Sequence, residues 1–444
     1  MNKEFHKKQN FFSFSDIDSE RKDRIMKFTS TEATPAPHVP PGVLRLTGAA
    51  KEDIPMYRIQ TMNKISPVGL NRFPSELYEV GDAVQDPQGI LVRSAKLLDL
   101  EFNPGLLAIA RAGVGVNNIP LDRCAAAGIP VFSTPGANAN AVKELVICAM
   151  LMGSRDIPGA IRWVREQAAS GVDVSTVVEK GKSAFIGPEL YKKTLGIIGL
   201  GAIGSIVANT AISLGMDVYG YDPFLSVDTA LRLDRHVHVV KDINDLYKRS
   251  DYITMHIHYT EKTARMIDAS AIAAMKRGVR VINLARGEIV DDEAMLTALD
   301  TGMVAAYITD FPNNRLLTAP HVIAMPHLGA STPESEQNCA AMAVDTLRDY
   351  LESGNIRSSV NLPEMTMDRS GVQRLCVLHK NVPGMLANIT SLFGRDGVNV
   401  ENLSNKSRGD YAYTMVDLGS KVGDNVIEDV RRTANVIRVR SLEW

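Results

Sequence analysis

Thr194-Leu-Gly-Ile-Ile-Gly199-Leu-Gly201-Ala-Ile-Gly204 is the stretch from which the rest of the chain can be read. The apolar run Thr194 to Ile198 reads as a short buried strand, and the glycines after it have the spacing G-x-G-x-x-G before the helix-compatible stretch Ser205 to Leu214. Met216 to Tyr221 turns β-like again and stops at Asp222, 18 positions past the third glycine. Strand, glycine turn, helix, strand and acid together form a dinucleotide-binding βαβ unit. Gly199 permits the tight turn, Gly201 lets backbone amides approach a pyrophosphate, and Gly204 lets the helix pack close to the strand. Ala202 and Ile203 open the helix whose N-terminus would meet the anion. Asp222 is placed to accept the ribose hydroxyls. Pro223, Phe224 and Leu225 follow it where a 2′-phosphate binder would carry an arginine, so NAD is expected over NADP. Leu195 to Met216 carries no charge and is long enough to be scanned as a membrane helix, but its glycines and Ser205, Asn209, Thr210 and Ser213 argue against that.

The 444 residues exceed one ordinary core, so two or three domains are expected. Apolar content of 45% with 23% charge is that of a globular chain. A net charge of −2, with Lys and Arg dispersed, gives no electrostatic case for nucleic acid or an anionic membrane. Cys124, Cys148, Cys339 and Cys376 are too scattered for a disulfide framework or a zinc site, and no metal is expected. Residues 3 to 27 mix acids with their bases, unlike a transit peptide, and the cytoplasm is the expected compartment.

Residues 1–52 read as an N-terminal arm, proline-broken at Pro35, Pro37, Pro40 and Pro41 and expected to be flexible. Strands are expected over Tyr57–Met62, Gly89–Arg93, Leu107–Ala110 and Pro130–Phe132, followed by a long helix over Asn138–Arg155. Beyond Asp222 the alternation continues, with strands over Tyr252–His258, Arg280–Leu284, Val304–Ile308 and His321–Met325, then a final helix over Ser335–Ser353. A polar linker is expected around Pro363–Ser370. Residues 371–444 then read β-α-β-β-α-β, a ferredoxin-like module. The expected fold is α/β: a flavodoxin-like substrate domain (53–145 and 327–362), a doubly wound Rossmann domain (146–326) and the C-terminal module (371–444).

Polar residues concentrate where these strands end, which is where α/β proteins place their sites. Asn283-Leu-Ala-Arg286-Gly287 offers a guanidinium, Tyr307-Ile-Thr-Asp310 a carboxylate, and Pro326-His327-Leu-Gly329-Ala-Ser-Thr332 an imidazole. Lys64 and Lys143 are candidates for an anionic substrate group. Asn138 is placed to cap its helix or to touch substrate, with capping favoured. His256 and His258 have no metal spacing with another ligand and read as structural.

These segments, with Arg111-Ala-Gly113-Val-Gly115-Val-Asn-Asn-Ile119, resemble the signature segments of the D-isomer-specific 2-hydroxyacid dehydrogenases, over roughly residues 55–444. Within that family the resemblance is to the branch that oxidises 3-phospho-D-glycerate with NAD to open L-serine synthesis. It implies that Arg286 grips the substrate carboxylate and C2 oxygen and that His327 takes the hydroxyl proton. Arg93, Ser94 and Arg111 match substrate-side segments, with Gly113 and Gly115 offering close backbone approach. Leu284, Asp310 and Gly329 fall on the cofactor side, with Asp310 expected at the nicotinamide carboxamide. The family's histidine-orienting glutamate is missing: Arg315 stands in its place, leaving Asp310, Glu334 or Glu336 to supply a carboxylate. The last module resembles an ACT domain, which implies that His379, Asn381 and Asn399 bind serine between two copies of a homo-oligomer, a dimer or tetramer. Two rivals stay open: a dehydrogenase of another 2-hydroxy acid, its product hydroxypyruvate or 2-oxoglutarate, and a NAD-sensing binding protein.

Overall fold

The computed structural model describes residues 56–444, so the arm expected over 1–52 lies outside the described residues. Five short strands come first: β1 Tyr57–Met62, β2 Tyr78–Gly81, β3 Gly89–Val92, β4 Ala108–Arg111 and β5 Val131–Phe132. They form a wholly parallel sheet in the order β2-β1-β3-β4-β5. β3 is buried at every position, as the continuous run Gly-Ile-Leu-Val requires. β2 was not expected from sequence; Tyr-Glu-Val-Gly at a sheet edge carries too weak a pattern to be seen.

Three helices follow: α1 Ala139–Arg155, α2 Ile157–Ala169 and α3 Val174–Gly181. Val142, Val146, Ala149 and Met150 form the buried stripe of α1. α2 and α3 bury no residue at all.

The second sheet comprises β6 Thr194–Ile198, then α4 Ala202–Ser213, β7 Asp217–Tyr221, β8 Val237–Val240, β9 Tyr252–Met255, β10 Val279–Asn283, β11 Val304–Thr309 and β12 Val322–Ala324. All seven strands are parallel, in the order β12-β11-β10-β9-β6-β7-β8. The chain reverses its direction of travel across the sheet between β6 and β9, and the glycine turn leaves β6 at that switch point. The apolar stretch Leu195–Met216 is therefore a strand and a helix, and among the described residues no helix is long and apolar enough to cross a membrane. β9 stops at Met255 rather than at His258, because the chain bends away once His256 N–H has bonded Ile198 O at 2.7 Å.

α5 Pro333–Ser353 returns to the first sheet. It begins two residues before the expected Ser335, with Pro333 in the first turn and the Thr332 hydroxyl accepting from Ser335 N–H. Val344, Leu347 and Leu351 of α5 share one core with Ile59, Leu91, Ala110 and Phe132 of the sheet. Gly354, left-handed at φ 76°, ends the helix.

The C-terminal module is β13 Gln373–Lys380, α6 Met385–Arg395, β14 Val400–Arg408, β15 Tyr411–Leu418, α7 Asp424–Arg432 and β16 Val436–Glu443. Its antiparallel order β14-β15-β13-β16 is that of the ferredoxin-like fold. Leu375, Val377 and Val416 pack under α6 and α7, whereas Cys376, Leu378, Tyr413 and Met415 join the core of α5. The expected polar linker is in fact part of this packing, with Met365 and Met367 buried. Arg374 and Asp417 form a fully buried ion pair, and Arg374 Nη1 also donates to Ser353 O at 2.9 Å. Arg440 donates to Tyr350 O and Leu351 O in the last turn of α5, at 3.0 and 2.8 Å.

Candidate active site

The glycine turn shows three different steric situations. Gly199 has φ 91°, and a Cβ there would lie 2.5 Å from His256 O. A Cβ on Gly204 would lie 1.9 Å from Gly199 O, so α4 sits against β6 at glycine distance. Gly201 faces open space, with no atom near a Cβ position and no side-chain cap on α4, so the first-turn amides of Ala202, Ile203 and Gly204 point at the opening. Asp222, just past β7, accepts from Leu200 N–H and Phe224 N–H, both at 2.9 Å, and ties the turn to the end of β7. Gly136, between β5 and α1, would place a Cβ 3.2 Å from Ala202 Cβ, so the first sheet's last loop touches this turn.

Two guanidiniums converge beside it. Arg111 ends β4 and its Nε donates to Arg93 O at 2.9 Å. Arg286 follows β10, on a loop held by Asn283, whose Nδ2 donates to Arg286 O at 2.9 Å and whose Oδ1 accepts from Ala285 N–H. A Cβ on Gly115 would meet Arg286 Nη2 at 3.0 Å and Arg111 Nη1 at 3.7 Å, and one on Gly113 would meet Arg111 Nη1 at 2.7 Å. Gly113 and Gly115 therefore leave the room that the two guanidiniums occupy. Burial, then the nearby positive charge of Arg286, lowers the Arg111 pKa. Among the described residues neither guanidinium has a carboxylate partner.

Phe311 lies between Arg286 and His327: its ring centroid is 4.8 Å from that of His327 and 6.0 Å from Arg286 Cζ. His327 itself is exposed to the cleft. Asp310 is fully enclosed; its Oδ2 accepts from Gly329 N–H at 3.1 Å and its Oδ1 has no partner among the described residues. Burial raises its pKa, opposed by the Gly329 amide and the His327 charge. Gly329 is wedged between Asp310 and Val142 of α1, since a Cβ would be 3.4 and 3.5 Å from them. Leu284 is buried in the core of the second sheet, just past β10.

The remaining candidates divide. Asn138 does not cap α1: its side chain makes no capping bond, and its Oδ1 is buried without a partner. The favoured capping role is thus corrected. Ser94 is exposed, its N–H donating to Asn63 Oδ1 at 3.0 Å. Lys64 is exposed, while Lys143 is mostly covered and lies 3.6 Å from Glu144. Glu336 pairs with Arg93 at 2.6 Å, and Arg315 is exposed. Two residues escaped sequence reasoning. Asn63, left-handed at φ 74°, holds the Ser94–Ala95 backbone, and Phe311 packs between Arg286 and His327. An Asn directly after a strand was the available signal for the first.

His379 is buried, with Nδ1 on Lys380 O at 2.8 Å and Nε2 on Thr414 Oγ1 at 2.9 Å. Asn381 follows β13, whose last residue aligns with Tyr411 and Arg408. Asn399 precedes β14, whose first residue aligns with Leu418 and Gln373. One copy therefore holds the two asparagines at opposite ends of the sheet.

Residues 147–329 match the family model described as D-isomer specific 2-hydroxyacid dehydrogenase, NAD binding domain. The chain is 33% identical to the D-3-phosphoglycerate dehydrogenase of Escherichia coli (strain K12) over 350 residues, covering 76% of this chain and 82% of that one. The chain belongs to the D-isomer-specific 2-hydroxyacid dehydrogenases. The Synechocystis sp. D-3-phosphoglycerate dehydrogenase is 36% identical over 71% of this chain, but the match spans only 56% of that relative, little more than half its length. Among solved structures, an NAD-bound 3-phosphoglycerate dehydrogenase from Entamoeba histolytica superposes with a TM-score of 0.54 at 26% identity, covering 69% of this chain and 99% of that one. In this family the seven-stranded sheet is the NAD-binding domain, and the open amides at Gly201, the Asp222 carboxylate and the free Asp310 Oδ1 fit that dinucleotide.

Proposed function

We propose that this chain is an NAD-dependent D-3-phosphoglycerate dehydrogenase, oxidising 3-phospho-D-glycerate to 3-phosphohydroxypyruvate at the head of L-serine synthesis. The observation that carries the reading is the pair Arg111 and Arg286, without a carboxylate partner among the described residues, meeting at Gly113 and Gly115 with Phe311 between Arg286 and His327. NAD, when bound, accepts the hydride from C2. Arg286 and the Gly113–Gly115 amides hold the carboxylate and C2 oxygen, and the guanidinium fork stabilises charge developing on that oxygen. His327 takes the hydroxyl proton. Asp310 supplies the carboxylate that relatives draw from glutamate. Arg93, Ser94 and Lys143 receive the phosphoryl end, and Asn138 offers its free acceptor to substrate. The second reading, an unphosphorylated 2-hydroxy acid, is favoured by one observation: Arg93 is already paired with Glu336. Oxidation of 3-phosphoglycerate by the purified chain, lost in His327→Ala, tests the first against the second.

We infer the same division of labour for the parts of the chain: 53–145 with 327–362 hold substrate, 146–326 hold NAD, and 371–444 form an ACT-type regulatory module. L-serine is the proposed effector. Because Asn381 and Asn399 lie at opposite ends of one module, serine can meet both only where two copies align their β14 edges. β14 is a long unpaired edge with polar, exposed residues, which supports such pairing. His379, already bonded through both ring nitrogens, would have to exchange a partner to take part. A second self-contact is proposed through α2 and α3, whose Ile157, Ile161, Trp163 and Val178 line an apolar groove that the described residues leave uncovered.

A further inference from the structure

Arg93 is the cleft guanidinium already in an ion pair. Its backbone is fixed from two sides, by Arg111 Nε on Arg93 O and by Asn63 Oδ1 on the amides of Ser94 and Ala95. Its guanidinium, by contrast, has one bond, from Nη2 to Glu336 Oε1 at 2.6 Å, and both side chains are more than two-fifths exposed. Glu336 projects from the first turn of α5, close behind His327 in the chain and rigidly carried by a helix buried against the first sheet. Arg111 and Arg286 await an anion; Arg93 already has one.

We propose that Glu336 is a specificity-determining residue that occupies Arg93 as an internal anion and so sets the affinity of the subsite for a phosphoryl group. The inference rests on the reading of Arg93 as the residue that meets the phosphoryl end. A phosphoryl group brings three acceptor oxygens and close to two negative charges, and a guanidinium fork engages two of those oxygens at once. It displaces Glu336, which offers one oxygen and one charge. A substrate with an uncharged tail leaves the pair intact and neither gains nor loses by it. Glu336 therefore weakens phosphorylated substrates selectively, and the effect is modest because an exposed pair is worth little.

Glu336→Gln, which keeps shape and removes charge, is expected to lower KM for 3-phosphoglycerate by about two- to five-fold. The same factor should appear in the calorimetric Kd of 3-phosphoglycerate for the NADH-loaded enzyme. KM for unphosphorylated D-glycerate should not fall with it, so discrimination between the two substrates widens. Arg93→Ala should raise KM for 3-phosphoglycerate and abolish the effect of Glu336→Gln, since the two act through one contact. An unchanged or raised KM and Kd in Glu336→Gln, or an equal effect in the Arg93→Ala background, overturns the proposal. If Arg93→Ala itself leaves both constants unchanged, it is the assignment of the phosphoryl end to Arg93 that fails.

Discussion

At Asp310 burial and charge work against each other. The carboxyl is enclosed, with one oxygen on the Gly329 amide and one unpartnered, and enclosure raises its pKa. The folded chain then keeps this proton to higher pH than the unfolded chain does. The stability it contributes is complete below the ordinary carboxyl pKa and is lost as pH rises through the raised value. Asp310→Asn should accordingly raise the thermal midpoint of the cofactor-free protein at pH 7, with the gain shrinking in acid, while kcat/KM falls on the order of tenfold or more. Calorimetric melts at two pH values and steady-state rates check this; a lower midpoint at pH 7 with intact turnover would count against it. The residue types of the cleft were legible in the sequence because each has one chemical use at a strand end. The free oxygens of Asp310 and Asn138 were not, since what surrounds a side chain depends on the loops that close over it.

The glycine turn makes the element-scale account testable, because two of its glycines face opposite conditions. Gly204→Ala pushes a methyl into Gly199 O and should destabilise the fold by about 1–3 kcal/mol. Gly201→Ala meets no protein atom and should leave the melting temperature within a degree or two, yet weaken NAD binding by blocking the open amides. Equal effects of both variants on both readouts would contradict this division. Apart from the end of β9, the buried strands were readable within a residue or two, because a run such as Gly-Ile-Leu-Val has only one stable use between two helical layers. β8 went unseen: its residues are partly exposed at an edge, and His238 interrupts the apolar pattern. The second half of β14, Ser404 to Arg408, is polar and held by pairing with β15 rather than by burial. α2 and α3 left no core stripe to be recognised.

On the scale of the whole molecule, the C-terminal module is docked on α5 through Arg374, Arg440 and an apolar face, and the segment expected to be a polar linker buries Met365 and Met367 in that packing. α5 therefore spans from that module to the loop carrying His327, a length of roughly 30 Å. Self-association through α2 and α3 predicts that Ile161→Asp sediments as a smaller species than the parent; identical sedimentation would remove that contact from the account. The central claim is oxidation of 3-phosphoglycerate at His327, and the measurement that tests it most directly is NADH formation from NAD and 3-phosphoglycerate by the purified chain, with His327→Ala beside it. The account predicts steady turnover that falls by about 10²- to 10⁴-fold in the variant while NAD binding persists. No turnover in the parent with NAD bound, or turnover untouched by loss of the imidazole, would contradict it.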